Sequence, residues 1–219
     1  MTKKDTISKL PIYKLQTPEE VLEYYKHWTD NNKYNKDMVE WNYTAPKETV
    51  AVVKKYASNK NFKILDAGCG TGLVGVELKK FGYSHIDGVD FSQDMLDLVP
   101  QDIYRNLQKV DLNADLKFRD NTYDVIICVG TFTYGHVKAH ALDEFIRITK
   151  DKGLICFTIN EGIYKEYGFD KKIKGLSDSK FWNVKEFFKS NYITSKDVRA
   201  WLCLAEIVKK QYKSIKKDI

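Results

Sequence analysis

The sequence predicts a doubly wound α/β domain with a mostly parallel sheet and a helical N-terminal extension. Between residues 62 and 159, short apolar runs alternate with helical patterns, which is typical of repeated βα units. Two further strand-like runs at residues 182–192 and 198–208 have no helix between them and predict an antiparallel pair at the sheet edge. The length of 219 residues fits one domain better than two.

The N-terminal part predicts two helices separated by a polar break. Residues 17–20 combine an N-cap threonine, a proline at the first helical position and a glutamate that completes a capping box. We expect this helix to end at about Trp28, before an Asn-rich break over residues 30–35. A second helix is predicted over residues 46–56, where apolar residues recur at helical spacing.

The rest of the chain predicts seven strands. Those at residues 123–129 and 153–159 are almost entirely apolar, as expected of strands that are covered on both faces. The predicted strands span residues 62–67, 85–90, 107–112, 123–129, 153–159, 182–192 and 198–208, and the predicted helices span residues 73–81, 92–99 and 139–149, with a helix-prone stretch at 163–173. Ser92 is the expected cap of its helix.

The charge distribution does not favour nucleic acid as a partner. Of the formal net charge of +6, residues 209–219 carry +4 and residues 1–9 carry +2, so residues 10–208 are neutral overall. A protein that binds nucleic acid usually concentrates its basic residues on one working face. We interpret the two basic ends as solvated tails and expect no nucleic acid partner.

Cysteine placement and hydropathy predict a cytoplasmic protein. No apolar run approaches the roughly 18 residues that span a bilayer, and the basic N-terminus lacks the apolar stretch of a secretory signal. The cysteines lie in apolar or Gly-rich segments without paired spacing, at Cys69, Cys128, Cys156 and Cys203. We therefore expect reduced, buried thiols and no membrane partner.

The strongest chemical signal is the stretch DAGCGTG at residues 66–72, between a predicted strand and a predicted helix. Its glycines let the backbone approach a ligand, and the helix that follows presents unpaired N–H groups. Leu73 stands where a dinucleotide fingerprint requires glycine, and no Gly-Lys-Ser/Thr of a phosphate loop occurs. The Asp66 carboxylate ahead of the loop disfavours a phosphate ligand and suits an ammonium group.

Two further carboxylates follow strands. Asp90 ends the second predicted strand, where it is placed to accept two hydrogen bonds from a ribose diol. The alternative is a simple N-terminal helix charge ahead of Ser92. Asp111 ends the third predicted strand and is placed to accept from an adenine amino group, with a solvated turn aspartate as the alternative.

Four motifs follow in the order ILDAGCGTG, VDFSQDM, KVDL and YDVIICVGTFTYGHV. In this order they resemble the motif series of class I S-adenosylmethionine-dependent methyltransferases, over roughly residues 62–160. The segment YYKHWTDNNKYNKDMVEWNYTAP, with GHV and ALDEFIRITKDKG further on, is most similar to the small methyltransferases related to methyltransferase-like protein 27. The resemblance implies a Rossmann-like methyltransferase fold, S-adenosyl-L-methionine as cofactor and S-adenosyl-L-homocysteine as product.

The resemblance also implies roles for individual residues. Asp66 would face the methionine ammonium, and Asp90 would take the ribose hydroxyls. Phe91 and Met95 would flank the adenine, and the backbone of residues 129–131 would meet the methionine end. The cofactor-binding residues so implied are Asp66, Gly68, Cys69, Gly70, Asp90, Phe91, Met95, Asp111, Leu112 and Val129, with Tyr25, Trp28 and Tyr34 in the N-terminal segment that covers the site.

His136 and Tyr134, in the stretch TYGHV, are the candidate catalytic residues. Methyl transfer needs mainly alignment of the acceptor and exclusion of water, so a general base is optional. His136 is a candidate base or substrate contact; the alternative is that it only forms a hydrogen bond with the loop backbone. Tyr134 is a candidate hydrogen-bond donor; the alternative is that its ring forms part of a cavity wall. His140 lies four residues from His136, but no third ligand is evident, and we predict no metal.

Three functions fit these motifs. The first is an enzyme that methylates O, N or S of a small-molecule acceptor by in-line displacement. No Asn/Asp-Pro-Pro-Tyr sequence follows the fourth strand, which argues against the base N-methylation of the DNA enzymes that the motifs resemble. The second is a non-catalytic S-adenosylmethionine-binding protein that acts through partners. The third, a nicotinamide-dependent oxidoreductase, shares the glycines and Asp90 but lacks a glycine at position 73. The sequence does not indicate an oligomeric state.

The same reasoning divides the chain into two parts. We expect residues 1–45 to form a helical lid or extension, and residues 46–219 to form the S-adenosylmethionine-binding methyltransferase domain, as one compact unit overall.

Overall fold

Seven strands form one mixed sheet at the centre of the molecule. The structure is a computed structural model that describes residues 11–15 and 17–209. The strands are β1 (Ile64–Ala67), β2 (Ile86–Asp90), β3 (Asn106–Lys109), β4 (Tyr123–Phe132), β5 (Thr149–Asn160), β6 (Trp182–Ile193) and β7 (Val198–Ile207). Their order is β3-β2-β1-β4-β5-β7-β6; β1 to β5 are parallel, and β7 is antiparallel to both β5 and β6. The predicted mostly parallel sheet with an antiparallel C-terminal pair is confirmed.

Helices precede β1 and lie between β1 and β2, β2 and β3, β4 and β5, and β5 and β6. They are α1 (Pro18–Thr29), α2 (Lys33–Glu40), α3 (Ala45–Tyr56), α4 (Leu73–Lys80), α5 (Gln93–Leu96), α6 (Ala141–Ile148) and α7 (Phe169–Asp178). The predicted capping box of α1 is confirmed, because the Thr17 hydroxyl accepts from the Glu20 N–H while the Glu20 carboxylate accepts from the Thr17 N–H. Ser92 is confirmed as the N-cap of α5, since its hydroxyl accepts from Met95 N–H.

The Asn-rich break after α1 is shorter than predicted. Only the three residues Asp30–Asn32 leave the α-helical path, as a 3-10 turn, and α2 begins directly after them. Asn31 and Asn32 have φ values of 51° and 57°, in the left-handed region that asparagine tolerates better than most residues. Two consecutive left-handed residues change the chain direction within one turn, so no long loop is needed. Because the prediction placed a longer break here, it did not include helix α2.

Three other elements differ in length from the prediction. Helix α5 ends at Leu96 rather than near residue 99, because Leu98 and Val99 bond three residues back in tighter turns. Helix α7 begins only at Phe169, after Gly168 with φ 71°, rather than in the stretch from residue 163. Strand β3 has four residues, all of them exposed, at the edge of the sheet.

The core is built around β1, β4 and β5. Consecutive residues of these strands are buried, so both faces of the sheet are covered there. Cys128 and Cys156 lie in this core with no exposed surface, and all four cysteines are free and buried, which confirms the prediction of core thiols. Burial of a large apolar side chain in such a core contributes about 1.5–3 kcal/mol.

The parallel arrangement brings the carboxyl ends of β1, β2 and β4 to one edge of the sheet. Residues that follow these strands therefore meet there, next to α1 and α2. Among the described residues, no helix is both long enough and apolar enough to cross a bilayer. Of the two basic tails, residues 1–9 and 210–219 lie outside the described residues.

Candidate functional site

A glycine loop, residues 68–72, connects β1 to α4 at this edge. Gly68, Gly70 and Gly72 have φ values of 78°, 53° and 90°, which only glycine adopts without strain. A Cβ atom at Gly68 would lie 2.1 Å from the Thr131 Oγ1, so this glycine lets the ends of β1 and β4 approach each other. A Cβ atom at Gly70 would meet nothing within 4 Å. The loop therefore leaves unoccupied space beside Gly70.

The Asp90 carboxylate is fixed beside this loop. One carboxylate oxygen accepts a hydrogen bond from Gly70 N–H at 2.8 Å, and the other accepts from Ser92 N–H at 2.9 Å. Burial raises the pKa of Asp90, and these backbone donors oppose the rise because they stabilise the ionised form. The result is an oriented acceptor at the end of β2.

The glycine loop and Asp90 border a cavity of about 760 Å³, which we call the glycine-loop cavity. The predicted site residues that line it are Tyr25, Tyr34, Gly68, Gly70, Asp90, Phe91, Met95, Asp111, Leu112, Val129 and His136. The structure thus brings together residues that are more than one hundred positions apart in the sequence. Two hydrogen bonds tie the N-terminal helices to this site, from the Thr71 hydroxyl to the Asn35 side-chain carbonyl (2.6 Å) and between Tyr25 and His136 (3.0 Å).

His136 has a defined tautomer. Its Nδ1 lies 2.6 Å from the Tyr134 carbonyl oxygen, which can only accept, so Nδ1 carries the proton. Its Nε2 is then an acceptor, and the Tyr25 hydroxyl donates to it at 3.0 Å. Burial lowers the pKa of His136 to about 4. The imidazole is therefore neutral at pH 7, with its lone pair at the wall of the glycine-loop cavity.

Four predicted site residues do not line this cavity, and two of them, Asp66 and Cys69, lie next to or within the glycine loop. Asp66 is fully buried beneath the loop, and one of its oxygens accepts from the Tyr104 hydroxyl at 2.5 Å. The other oxygen is buried without a hydrogen-bond partner. Burial raises the pKa of Asp66 to about 7. The Cys69 thiol lies near Gly88, where an added Cβ would come within 3.1 Å of the sulfur.

The other two predicted residues that do not line the glycine-loop cavity are Trp28 and Tyr134. Trp28 is buried, stacks on Tyr25 with 6.0 Å between ring centroids, and donates its indole N–H to Asp37 at 2.6 Å. Tyr134 is buried against Tyr13, and its hydroxyl has no hydrogen-bond partner. Tyr134 touches the site through its carbonyl oxygen, which fixes the tautomer of His136.

A second cavity of about 380 Å³ adjoins the first, and we call it the tyrosine cavity. It is lined by Ile12, Tyr13, Tyr25, Trp28, Tyr34, Met38, Tyr43, Gly130, Thr133, Tyr192 and Ile193. Tyr25, Tyr34 and Gly130 line both cavities. At Gly130, with φ 82°, an added Cβ would lie 2.6 Å from the Tyr43 hydroxyl, so glycine is required where the two cavities meet.

This geometry agrees with a family-level comparison. A methyltransferase domain family matches residues 64–153, from β1 through the glycine loop and Asp90 into β5. Residues 64–153 belong to a methyltransferase domain. The resemblance inferred from the sequence motifs is confirmed.

Known proteins with methyltransferase domains match much of the chain. Human methyltransferase-like protein 27 is 32% identical over 141 residues, covering 63% of this chain and 56% of that protein. The ribosomal protein L11 methyltransferase of Thermotoga neapolitana is 23% identical over 161 residues, covering 71% and 53%. The crystal structure of a SAM-dependent methyltransferase from Aquifex aeolicus gives a TM-score of 0.55 at 19% identity, covering 74% and 89%. The chain spans about half the length of these two curated relatives.

The site contains residues that the sequence analysis missed. Pro18, Val21 and Leu22 of α1 line the glycine-loop cavity beside Tyr25. Their spacing of i, i+3, i+4 and i+7 marks one face of a helix, and this apolar face could have been recognised from the sequence. Tyr104, the hydrogen-bond donor to Asp66, gave no comparable signal because it lies in a loop far from the motif in sequence.

The two histidines considered for a metal pair have separate contacts. His140 is exposed, and its Nε2 contacts the Asn113 carbonyl oxygen at 3.1 Å, whereas His136 is bonded to Tyr134 and Tyr25. Across residues 11–15 and 17–209, no three His, Cys, Asp or Glu side chains are grouped in a way that could hold a metal ion.

Proposed function

We propose that this chain is an S-adenosylmethionine-dependent methyltransferase that transfers a methyl group to O, N or S of a small-molecule acceptor by in-line displacement. The observation that carries the proposal is the glycine loop facing Asp90. Gly70 leaves open space beside the cavity, and its N–H fixes the Asp90 carboxylate at the cavity wall. When bound, S-adenosylmethionine supplies a methyl group that its sulfonium already activates.

The lining of the glycine-loop cavity fits the parts of this cofactor. Asp90 offers an oriented carboxylate to the ribose hydroxyls, and Phe91 and Met95 offer apolar surface to the adenine. We assign the adenine to Phe91, Met95, Asp111 and Leu112, the ribose to Asp90, and the methionine end to Gly68, Gly70 and Val129. Cys69 supports the loop through its backbone, because its N–H donates to the Val89 carbonyl oxygen at 2.9 Å.

Asp66 contributes negative charge from beneath the loop. Its buried carboxylate has a pKa raised to about 7, and one oxygen has no hydrogen-bond partner. A cationic ligand in the cavity lowers this pKa again, since a nearby positive charge favours the ionised carboxylate. In the proposal, Asp66 therefore ionises as the cationic cofactor binds.

His136 is the proposed base or acceptor contact, and Tyr134 orients it through its carbonyl oxygen. Because the pKa of His136 is lowered to about 4, its Nε2 lone pair is available at neutral pH. A histidine this weakly basic takes a proton only as the acceptor atom loses it. Tyr25, which donates to Nε2, has to give way or pass the proton on for His136 to act.

The N-terminal segment is the proposed cover of the site. We assign residues 1–45 to this lid and residues 46–219 to the S-adenosylmethionine-binding domain. Helix α1 contributes Tyr25 and α2 contributes Tyr34 to the cavity walls, and Trp28 packs behind both rings. A cover of this kind excludes water and holds the acceptor in line with the transferred group.

A small acceptor is favoured by the position of the tyrosine cavity, which borders the glycine-loop cavity through Tyr25, Tyr34 and Gly130. The lining of the tyrosine cavity is predominantly aromatic and aliphatic, as in sites that bind small ligands. A ribosomal protein is named as the substrate of one relative, so a protein acceptor is the competing candidate. Nucleic acid is disfavoured because residues 10–208 are neutral overall. The free, buried cysteines support a cytoplasmic location.

The test is transfer of label from methyl-labelled S-adenosylmethionine into a cell extract separated into small molecules, proteins and nucleic acids. We expect label in the small-molecule fraction and none above background in the other two. Label in protein or nucleic acid would contradict the acceptor class. Cofactor binding without label in any fraction would favour a non-catalytic protein that acts through partners.

A further inference from the structure

The walls of the tyrosine cavity are aromatic and uncharged. No Asp, Glu, Lys, Arg or His is among the described residues that line it. Burial raises the pKa of Tyr13, Tyr25, Tyr34 and Tyr43, and it raises the pKa of Tyr192 to about 12. All five phenols therefore stay protonated at neutral pH. The cavity offers rings, aliphatic surface and neutral hydroxyls.

Such walls disfavour an anionic occupant. A carboxylate or phosphate loses part of its hydration on entering a cavity with apolar walls, and only a cation or several hydrogen-bond donors compensate for that loss. The lining supplies no cation among the residues that the structure describes. Two of the tyrosine hydroxyls that line it already donate elsewhere, Tyr25 to His136 and Tyr43 to Tyr192.

The rings are also not arranged to hold a cation. A cation is held where the faces of several aromatic rings converge on one point. Here the rings meet one another edge to face, at 78° for Tyr43–Tyr192, 69° for Tyr25–Tyr34 and 77° for Trp28–Tyr34. Edges of neighbouring rings thus occupy faces that an ammonium group would need.

One polar atom of the lining lacks a partner. Thr133 is 4% exposed, and its Oγ1 is buried without a hydrogen bond, although its own backbone is fixed by a bond to the Thr131 carbonyl oxygen at 3.0 Å. Buried hydroxyls are rarely left unsatisfied in native proteins. Because Thr133 is among the residues that line the tyrosine cavity, a turn of its side chain would bring this hydroxyl to an occupant with one hydroxyl or other neutral polar group.

The tyrosine cavity meets the glycine-loop cavity at a shared wall. Tyr25, Tyr34 and Gly130 border both spaces, and Gly130 follows Val129, which we assign to the methionine end of the cofactor. A molecule in the tyrosine cavity would therefore lie beside the group to be transferred.

We propose that the tyrosine cavity is the acceptor pocket and that it selects an uncharged, ring-containing acceptor whose polar group bonds to Thr133. This inference rests on the proposed methyltransferase function, because it names the acceptor class of that same site. The aromatic and aliphatic lining of the tyrosine cavity suits the flat, apolar surface of a ring.

The test uses three probes that share one ring system and differ in charge: 2-naphthol, 2-naphthoate and 2-naphthylmethylammonium. Each is titrated into the full-length protein at neutral pH by ligand-observed NMR, with and without saturating S-adenosylhomocysteine. We expect 2-naphthol to bind at least about tenfold more tightly than either charged probe. Only 2-naphthol can move from water into the cavity without leaving an unpaired charge there. Tighter binding of a charged probe, or no binding of any probe, would overturn the proposal.

Variants at Thr133 test the contact itself. Thr133→Val keeps the side-chain shape, and we expect it to weaken 2-naphthol binding by roughly 2- to 10-fold, as for loss of one neutral hydrogen bond. Thr133→Ser retains the hydroxyl and should preserve most of the affinity. Thr49→Val is the matched control, since Thr49 is also buried with a partnerless hydroxyl but lines neither cavity. Equal 2-naphthol affinity in wild type and Thr133→Val would overturn the assigned contact.

The affinity for S-adenosylhomocysteine separates the two proposals. If S-adenosylhomocysteine binds and 2-naphthol does not, the acceptor inference fails while the proposed function stands. If S-adenosylhomocysteine itself does not bind, the proposed function fails, whatever the naphthalene probes do.

Discussion

The hydroxyl of Tyr25 lies 3.0 Å from Nε2 of His136, and this contact joins helix α1 to the loop after β4. Since the other ring nitrogen of His136 donates to the Tyr134 carbonyl oxygen, Tyr25 is the donor to Nε2. The cover of the site and its candidate base are therefore linked by one hydrogen bond. Opening of the N-terminal segment would expose the lone pair of His136.

The Tyr25→Phe variant tests this link. The donated hydrogen bond stabilises neutral imidazole, so its loss should raise the pKa of His136 above its present value of about 4, toward the ordinary value near 6.5. The phenylalanine ring would still pack on Trp28. The measurement is an NMR titration of the histidine ring signals, with Tyr24→Phe as control. An unchanged His136 titration would show that Tyr25 does not donate to it.

The His136→Ala variant tests the role in catalysis. If His136 removes a proton from the acceptor, turnover should fall by roughly 100-fold or more, while the affinity for S-adenosylhomocysteine stays the same. The exposed His140→Ala variant is the control and should leave turnover near that of the wild type. Near-normal turnover in His136→Ala would show that His136 only supports the loop backbone and is not the base.

The raised pKa of Asp66 predicts that cofactor affinity depends on pH. Its pKa is raised to about 7 in the free protein, and a bound cation favours the ionised form, so binding near pH 7 should release protons. Affinity should fall as pH drops below about 7, where Asp66 must first lose its proton, and should level off above it. The measurement is calorimetric titration in buffers of different ionisation enthalpy.

Two variants isolate this effect. Asp66→Asn cannot release a proton and should make the heat of binding less dependent on the buffer. Tyr104→Phe removes the 2.5 Å hydrogen bond that stabilises the ionised carboxylate, so the pH midpoint should move upward. If the proton release of the wild type persists in Asp66→Asn, another group is responsible.

Two loop glycines should respond differently to alanine. Gly68→Ala places a Cβ 2.1 Å from the Thr131 Oγ1 in addition to the strain of a positive φ, so it should destabilise the fold severely. Gly70→Ala has the φ strain, about 1–2 kcal/mol, but no clash, and should mainly weaken cofactor binding. Thermal unfolding with calorimetric titration separates the two effects. Equal loss of stability in both variants would contradict the interpretation of Gly70 as open to the cavity.

The sequence predicted best what local patterns determine. The strand before DAGCGTG, the glycine turn and Asp90 form one continuous segment, in which apolar residues, turn glycines and a strand-end carboxylate each have a local signature. The antiparallel pair at the C-terminus was equally predictable from two strand patterns with no helix between them. Element ends were less accurate, since turns such as the one after Leu96 depend on single hydrogen bonds.

Contacts between distant segments could not be predicted. Tyr13, Tyr43 and Tyr192 meet at the tyrosine cavity from three separate elements, and nothing in their local sequence distinguishes them from core tyrosines. Tyr104 reaches Asp66 because glycines make room for its ring; a Cβ at Gly75 would lie 2.6 Å from the Tyr104 hydroxyl. Such placements follow from packing of the whole sheet rather than from spacing along the chain.

Asp90 is the residue on which the cofactor assignment depends most. Asp90→Ala removes hydrogen bonds to a charged acceptor, which costs about 1.5–3 kcal/mol, or roughly 10- to 150-fold in affinity for S-adenosylhomocysteine. Asp94→Ala is the matched control, because Asp94 is exposed on the short helix α5 that follows Asp90 and does not line the cavity. A circular dichroism spectrum identical to that of the wild type would show that the fold is intact.

The most direct measurement is calorimetric titration of the purified protein with S-adenosylmethionine, S-adenosylhomocysteine and NAD in parallel, repeated with Asp90→Ala. The account predicts that the first two ligands bind, that NAD does not, and that Asp90→Ala weakens both by at least about tenfold. Binding of NAD alone, or an affinity for S-adenosylhomocysteine that Asp90→Ala leaves unchanged, would contradict it.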